Sequence, residues 1–268
     1  MSAPLAIDLY CGLGGWTEAL LAEGWDVIGF DIERHDYGTG GYPGQLVLQD
    51  VCTLHGAQFR DADLIVASPP CQEFSYRAMP WKRAKALPPP YLGMNLFWQC
   101  WRIQHEAIEA TRKRCWNGHL GKGWALENCL ECQGVGYTER HIPLIVENVV
   151  GAQKWIGGAA WHYGSFYLWG DIPSLMPHRF GQKVGIYSDP RRNSGKTARL
   201  TSPQENLNRL YADRDSEGTK QHGSGPVWWR TGNGAMPSNS PRRKAASAQI
   251  AKIPQPFALW IAKTFKPS

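Results

Sequence analysis

The sequence predicts an α/β fold with a mixed, mostly parallel sheet, an inserted loop and a small irregular lobe. Three observations predict it. Short apolar runs recur at residues 5–10 (LAIDLY), Asp26 to Asp31 (DVIGFD), 63–67 (DLIVA) and 142–146 (IPLIV), with helical spacing between several of them. Runs of that length suit buried strands joined by helical crossovers. Each run also leads into a polar group or a turn at its carboxyl end, where open parallel sheets gather their ligands. Finally, residues 181–244 are rich in Gly, Ser, Asn and Arg with little periodicity, which predicts an irregular lobe.

The first strand passes into a glycine-rich turn, Gly12-Leu13-Gly14-Gly15, and Trp16 to Glu23 then reads as a helix closed by Gly24. After the strand at Asp26 to Asp31 comes the one at 63–67, which runs into Ser68-Pro69-Pro70-Cys71. Trp98 to Arg114 has helical spacing, and residues 115–141 break it with Cys, His and Gly, as an insertion would. The strand at 142–146 runs into Glu147-Asn148, and Ala245 to Phe265 becomes helical again around Pro254 and Pro256. The expected division is a main domain over 1–169 carrying the insertion 115–141, a lobe over 170–244, and a segment 245–268 that returns to the main domain.

A chain of 268 residues suits one α/β domain plus a small lobe, and 43% hydrophobic residues supply a core. No apolar run approaches the roughly 20 residues that span a membrane. Without a charged n-region and cleavage site, the expectation is an intracellular, cytoplasmic protein, acting as a monomer. A net charge of +6 is a mild bias toward polyanions. Arg191, Arg192, Lys196, Arg199, Arg242, Arg243 and Lys244 cluster among loop-forming residues that could follow a phosphate backbone. Seven cysteines in such a chain disfavour a disulfide framework and leave catalysis, metal binding and burial.

The strand, glycine turn and helix at the start form a generic nucleotide-binding device, because glycines admit a ligand to the backbone and a helix N-terminus favours negative charge. Asp31 ends the second strand, where a carboxylate could accept hydrogen bonds from both ribose hydroxyls. Ile32 beside it could pack on an adenine, and Asp50-Val51 could add a polar and an apolar contact. The plainer alternative is an ordinary doubly wound fold with solvated acids.

Ser68-Pro69-Pro70-Cys71-Gln72 is more specific. Two prolines stiffen the loop and remove two donors, so a cysteine just past a strand end is presented rather than buried. A thiolate is soft and nucleophilic enough to add to an electron-poor ring carbon. Ile145-Val146-Glu147-Asn148-Val149 places a carboxyl at the end of a buried strand, where desolvation raises its pKa and lets it share a proton with a ring nitrogen.

Together, Asp8-Leu9-Tyr10-Cys11-Gly12-Leu13-Gly14-Gly15, Pro69-Pro70-Cys71-Gln72 and Glu147-Asn148-Val149 resemble three motifs of the cytosine-C5 DNA methyltransferase family. The likeness covers roughly the first 150 residues and, loosely, the last 20. It implies a Rossmann-like S-adenosylmethionine-dependent methyltransferase fold, with the lobe as a target-recognition region. It also implies the chemistry: a cytosine flipped out of double-stranded DNA, Cys71 adding to C6, Glu147 engaging N3 with Asn148 beside it, and a group passing to C5. Asp8, Tyr10, Cys11, Gly12, Gly14, Gly15 and Pro69 would then serve the donor pocket, with Asp31 on the ribose.

The chain departs from the family in three places. Where the family carries Gln-x-Arg-x-Arg, it has Tyr163 to Gly170 (YGSFYLWG), wording that resembles a phage-type branch; the missing arginine would come from elsewhere, with Arg179 as a candidate, or be dispensed with. The insertion holds Cys115-x3-His119 and Cys129-x2-Cys132 with Gly134 and Gly136 behind, a pattern that suits a structural zinc ion, with Cys100 or His141 as substitutes for His119. Reduced thiols in a loop are the alternative. The last motif reads Gln249-Ile250-Ala251-Lys252-Ile253-Pro254, with lysine where the family has asparagine. A cation beside a sulfonium is unhelpful. It would suit carboxy-S-adenosylmethionine as donor and 5-carboxymethylcytosine as product; the alternative is a solvated lysine, S-adenosylmethionine and 5-methylcytosine. Trp228-Trp229-Arg230 could stack on bases or form the lobe's core. The rival functions are an RNA or tRNA cytosine methyltransferase and a catalytically dead DNA-binding protein, in the cell of a bacterium or a phage's host.

Overall fold

The computed structural model describes residues 2–36, 41–75, 88–115, 129, 131–133, 135, 137–176, 240, 241, 244, 245, 248 and 251–267. Five strands form its parallel part: β1 (Leu5–Leu9), β2 (Asp26–Asp31), β3 (Gln45–Leu48), β4 (Leu64–Ala67) and β7 (Leu144–Asn148). A hairpin of β8 (Trp161–Tyr163) and β9 (Phe166–Gly170) completes a seven-stranded sheet in the order β3-β2-β1-β4-β7-β9-β8. β9 runs antiparallel to both its neighbours, so the sheet is mixed but mostly parallel, as the sequence predicts. A separate ribbon at the base of the insertion pairs β5 (Lys113–Arg114), just before it, with β6 (Tyr137–Thr138), within it.

The strand order turns at the β1–β4 boundary: β2 and β3 extend one way, β7 and the hairpin the other. Such a reversal opens a crevice beyond the carboxyl ends of the two central strands. β4 and β7 are buried along their whole length, because both faces are covered. Side chains alternate between the faces. Ile7, Leu9, Ile65 and Val146 face helix α2 (Tyr91–Glu109) through Phe97 and Ile103. Ala6, Leu64, Val66 and Ile145 face helices α1 (Gly15–Ala22) and α4 (Gln255–Phe265) through Trp16, Leu20, Phe257 and Ile261. A short α3 (Gln153–Ile156) follows β7.

Several boundaries differ from expectation for physical reasons. Helix α2 begins at Tyr91, seven residues before Trp98. Its first turn is fixed by tertiary contact, with Gly93 packed on the Phe74 ring and its N–H donated to Glu73 Oε2 at 2.7 Å. β7 reaches Asn148, so Glu147 and Asn148 lie within the strand, paired with Leu168 and Tyr167 of β9. β3 is a half-exposed edge strand whose apolar signal was too weak to read. The last helix runs over Gln255–Phe265, and Ala245, Ala248 and Ala251 ahead of it are helical as expected; Pro256 is tolerated because a first turn leaves its N–H groups unbonded anyway.

The returning helix α4 is held to α1 by Phe257, fully buried, with its ring 5.2 Å from Trp16 and 5.6 Å from Tyr163. Phe257→Ala is expected to cost about 3–5 kcal/mol. At about 2–4 °C per kcal/mol for chains of this size, thermal unfolding followed by circular dichroism should fall by on the order of 10 °C. An unchanged midpoint would mean that α4 does not belong to the cooperative core.

Candidate active site

Four strand ends converge at the crevice, those of β1, β2, β4 and β7. The first, from β1, carries Asp8, whose side chain is fully buried. The Thr17 hydroxyl donates to its Oδ2 at 2.7 Å and itself hydrogen-bonds the Tyr42 hydroxyl. Oδ1 of Asp8 has no hydrogen-bond partner among the described residues. Burial pushes the Asp8 carboxyl up to about 8, against the hydrogen bond from Thr17. Asp8 is therefore largely protonated at neutral pH, a buried donor with no acceptor among the described residues.

The turn after β1 needs its glycines. Tyr10, Gly12 and Gly14 have φ of 56°, 52° and 73°, in the left-handed region. Tyr10 holds that conformation with its hydroxyl anchored on the Leu96 carbonyl at 2.9 Å. A Cβ on Gly15 would stand 2.6 Å from the Ile253 nitrogen and 3.0 Å from Lys252 Cγ, so the C-terminal segment lies directly against the turn. Cys11 is buried and its thiol is pushed far up by desolvation, which makes it packing rather than a nucleophile.

The second end belongs to β2. Asp31 accepts the Gly12 N–H on Oδ2 at 2.9 Å and the Glu33 N–H on Oδ1 at 3.3 Å, with His35 Nε2 3.4 Å from Oδ1. Oδ2, with one partner, keeps a lone pair for a ligand hydroxyl. Ile32, next to it, is 72% exposed and open to an apolar ligand face. Asp50 caps the turn Val51–Thr53 through the Cys52 N–H at 2.9 Å, whereas Val51 is buried in the core.

β4 and β7 bring the remaining two ends, and here the thiol loop and the acid strand are tied together. The Ser68 N–H donates to the Leu9 carbonyl at 3.1 Å. Trp16 Nε1, from the helix after the glycine turn, donates to Ser68 Oγ at 3.0 Å. An indole N–H can only donate, so the Ser68 hydroxyl is left to donate in turn to Glu147. Glu147 is buried, and desolvation raises its carboxyl to about 8 with the Ser68 bond pulling the other way. Asn148 Nδ2 donates to the Pro69 carbonyl at 3.0 Å while its Oδ1 accepts the Val149 N–H at 2.8 Å. Cys71, half-buried, heads the single turn Gln72–Phe74, and its carbonyl accepts the Phe74 N–H at 3.0 Å. Phe74 is sunk in the core and fixes the far side of the loop.

The expected residues thus gather at neighbouring strand ends: Asp8, Tyr10, Cys11, Gly12, Gly14, Gly15 and Asp31 on one side, and Pro69, Cys71, Glu147 and Asn148 on the other. Lys252 lies at the turn, and its ammonium pairs with Glu18 in the first turn of α1. Sequence reasoning missed Trp16, Thr17 and Tyr42, and gave Ser68 no role. Ser68 had a signal, standing three residues before Cys71; the others are set by tertiary contact. Arg179, Arg191, Arg192, Lys196, Arg199, Trp228, Trp229, Arg230, Arg242 and Arg243 lie outside the described residues.

In the insertion, the sulfurs of Cys115, Cys129 and Cys132 all lie within 4.8 Å of one another. None of the seven cysteines is in a disulfide. The substitutes are placed elsewhere: Cys100 is buried in α2 with its thiol against the Leu96 carbonyl, and His141 Nε2 lies 3.0 Å from Asp171. His119, Gly134 and Gly136 lie outside the described residues.

Residues 5–107 match the family model for C-5 cytosine-specific DNA methylases. No curated protein matches the chain. Among solved structures, the chain is similar to a DNA modification methyltransferase encoded within an E. coli prophage, at 20% identity and TM-score 0.33, over 57% of this chain and 34% of that one. It is also similar to the S. pombe Dnmt2 methyltransferase, at 16% identity and TM-score 0.32, over 57% and 36%. A methyltransferase of Entamoeba histolytica, EhMeth, matches at 13% identity and TM-score 0.29, over 57% and 40%. The aligned part spans a little over a third of the length of these chains. No helix of the described residues is long and apolar enough to cross a membrane.

The raised Glu147 pKa has a consequence for stability. Between the ordinary value of 4.5 and about 8, the unfolded chain releases a proton that the folded chain keeps. Stability therefore falls as pH rises through that window. Glu147→Gln removes the titration, so urea unfolding at pH 8 should show the variant at least about 1 kcal/mol more stable, relative to wild type, than at pH 4.5. An equal difference at both pH values would contradict the buried acid.

Proposed function

We propose that this protein transfers a methyl group from S-adenosylmethionine to carbon 5 of a cytosine in double-stranded DNA. The observation that carries the reading is the pairing of a half-buried Cys71 with a buried, protonatable Glu147, on loops joined by Asn148 and Ser68. Cys71, as its thiolate, forms a bond to C6 of the flipped-out base. Glu147 donates its proton to N3, so the electron pair displaced from the C5–C6 double bond is held as an enamine with its nucleophilic end at C5. A carboxyl held near 8 is protonated at neutral pH and suits that step. Bound S-adenosylmethionine supplies the electrophilic methyl group. After transfer, loss of the C5 proton to a base re-forms the double bond, Cys71 leaves as thiolate, and N3 returns its proton to Glu147.

The donor fits the glycine turn. Asp31 keeps acceptor capacity beside an exposed Ile32, as a ribose and an adenine would require, and the protonated Asp8 keeps one unpartnered oxygen below the turn. Gly12 has open space where a Cβ would be. The methyl donor is favoured over the carboxylated one because the Lys252 ammonium already has Glu18 as its partner. We assign substrate choice to the lobe 170–244, and the chemistry to 1–169 with 245–268 closing over the turn. The family description matched by residues 5–107 favours DNA over RNA.

DNA containing 5-fluorocytosine tests the reading. The fluorine cannot leave as a proton does, so wild type should form a denaturant-resistant adduct at Cys71. Cys71→Ser should form none and should lose at least about a thousandfold in rate, the scale for removing a nucleophile. Absence of an adduct with duplex DNA, against an adduct with tRNA, would reassign the substrate; absence with both would leave a binding protein. Nucleoside mass spectrometry after incubation with each donor should give 5-methylcytosine, for wild type and for Lys252→Asn. A 5-carboxymethylcytosine product that depends on Lys252 would overturn the methyl assignment.

A further inference from the structure

The insertion between α2 and β7 is not used by this chemistry, and its root lies at the other end of the sheet. Arg140, which follows the ribbon, donates to the Arg60 carbonyl at 2.6 Å and pairs with Asp63, and Asp63 accepts the Leu5 N–H. Leu5 opens β1, Asp63 precedes β4, and β7 begins at Leu144. These are the amino ends of the strands, whereas Cys71 and Glu147 lie at the carboxyl ends. One strand of four or five residues, about 15 Å, separates the two levels.

From that root the ribbon β5–β6 projects, with Arg112 stacked 4.7 Å over the Tyr137 ring and paired with Glu139 at 2.9 Å. Cys115 follows β5 directly. Cys129 and Cys132 sit on a tight turn in which the Gln133 N–H donates to the Cys129 carbonyl at 2.7 Å, Gln133 taking a φ of 48°. That turn aims two thiols toward the third. The Cys115 and Cys129 sulfurs are 3.6 Å apart, too far for a disulfide bond of about 2.05 Å. They match the roughly 3.8 Å edge of a tetrahedron with metal–sulfur bonds of about 2.3 Å. Cys115 and Cys132 are buried, beside a ribbon whose two strands have two residues each.

We propose that Cys115, Cys129 and Cys132 bind a zinc ion that holds the insertion folded and takes no part in base chemistry. Three converging sulfurs form a soft donor set that selects zinc over magnesium or calcium. A two-stranded ribbon of two residues per strand is not stable alone, and a metal cross-link between its ends supplies what its packing does not.

The test uses the full chain purified from zinc-supplemented medium, with metal content measured by mass spectrometry and thiol access by alkylation and peptide mapping. The expected result is about one zinc per chain. Cys115, Cys129 and Cys132 should be alkylated only after chelation, while alkylation at Cys71 should not depend on the chelator. The double variant Cys129→Ser, Cys132→Ser should lose the zinc. Zinc well below one per chain, iron in its place, or equal alkylation of the three thiols with and without chelator overturns the proposal. The alkylation pattern is read on wild type, so a double variant that fails to fold does not decide the outcome.

Discussion

The Pro69 carbonyl accepts one hydrogen bond from the Asn148 side chain, and most of the site depends on that contact. Two consecutive prolines give the thiol loop a fixed path but remove the N–H groups at 69 and 70, so beyond the Ser68 N–H, which is spent on the Leu9 carbonyl, the stretch has no backbone donor of its own until Cys71. A side chain from the neighbouring strand has to supply the donor. Asn148 does so because β7 extends two residues further than its apolar run and ends in the sheet, paired with the hairpin strand β9. The same extension places Glu147 on the opposite face of the strand at the same level. One strand end thus both carries the acid and fastens the loop that carries Cys71.

Trp16 joins this pair to the glycine turn. It stands on the helix that the glycine turn launches, packs under Phe257 and donates to Ser68, which in turn bonds Glu147. The acid, the turn and the returning C-terminal helix therefore share one chain of contacts. The close approach of Ile253 and Lys252 to Gly15 explains why a glycine stands there independently of any ligand. Glu18 and Lys252 form a charge pair across the same junction, which gives the lysine an electrostatic reason to occupy a position next to the turn.

Much of this was legible in the sequence because the central strands are short, apolar and end in chemically distinct groups. β1, β2, β4 and β7 were read from their apolar runs, and Cys71 and Glu147 from their position after such runs. The remainder depends on contacts that spacing does not encode. Helix α2 starts early because Gly93 meets Phe74, far away in the chain. The β8–β9 hairpin is short and part-buried, so its residues do not read as a fully buried run like those of the central strands. The sequence offers Val51 beside Asp50 as an apolar contact for a ligand, yet the turn that Asp50 caps folds it into the core. Lys252 differs from the asparagine of the family motif, and its partner Glu18 lies more than two hundred residues away in sequence, a pairing that only the fold brings about.

The central claim is covalent addition at C6 that activates C5. Duplex DNA carrying tritium at cytosine C5 reads it directly when incubated with S-adenosylmethionine. Addition by Cys71 and methyl transfer should release tritium to water in step with methyl incorporation, and Cys71→Ser should release none. Methyl incorporation without tritium release, or release that persists in Cys71→Ser, would contradict the account.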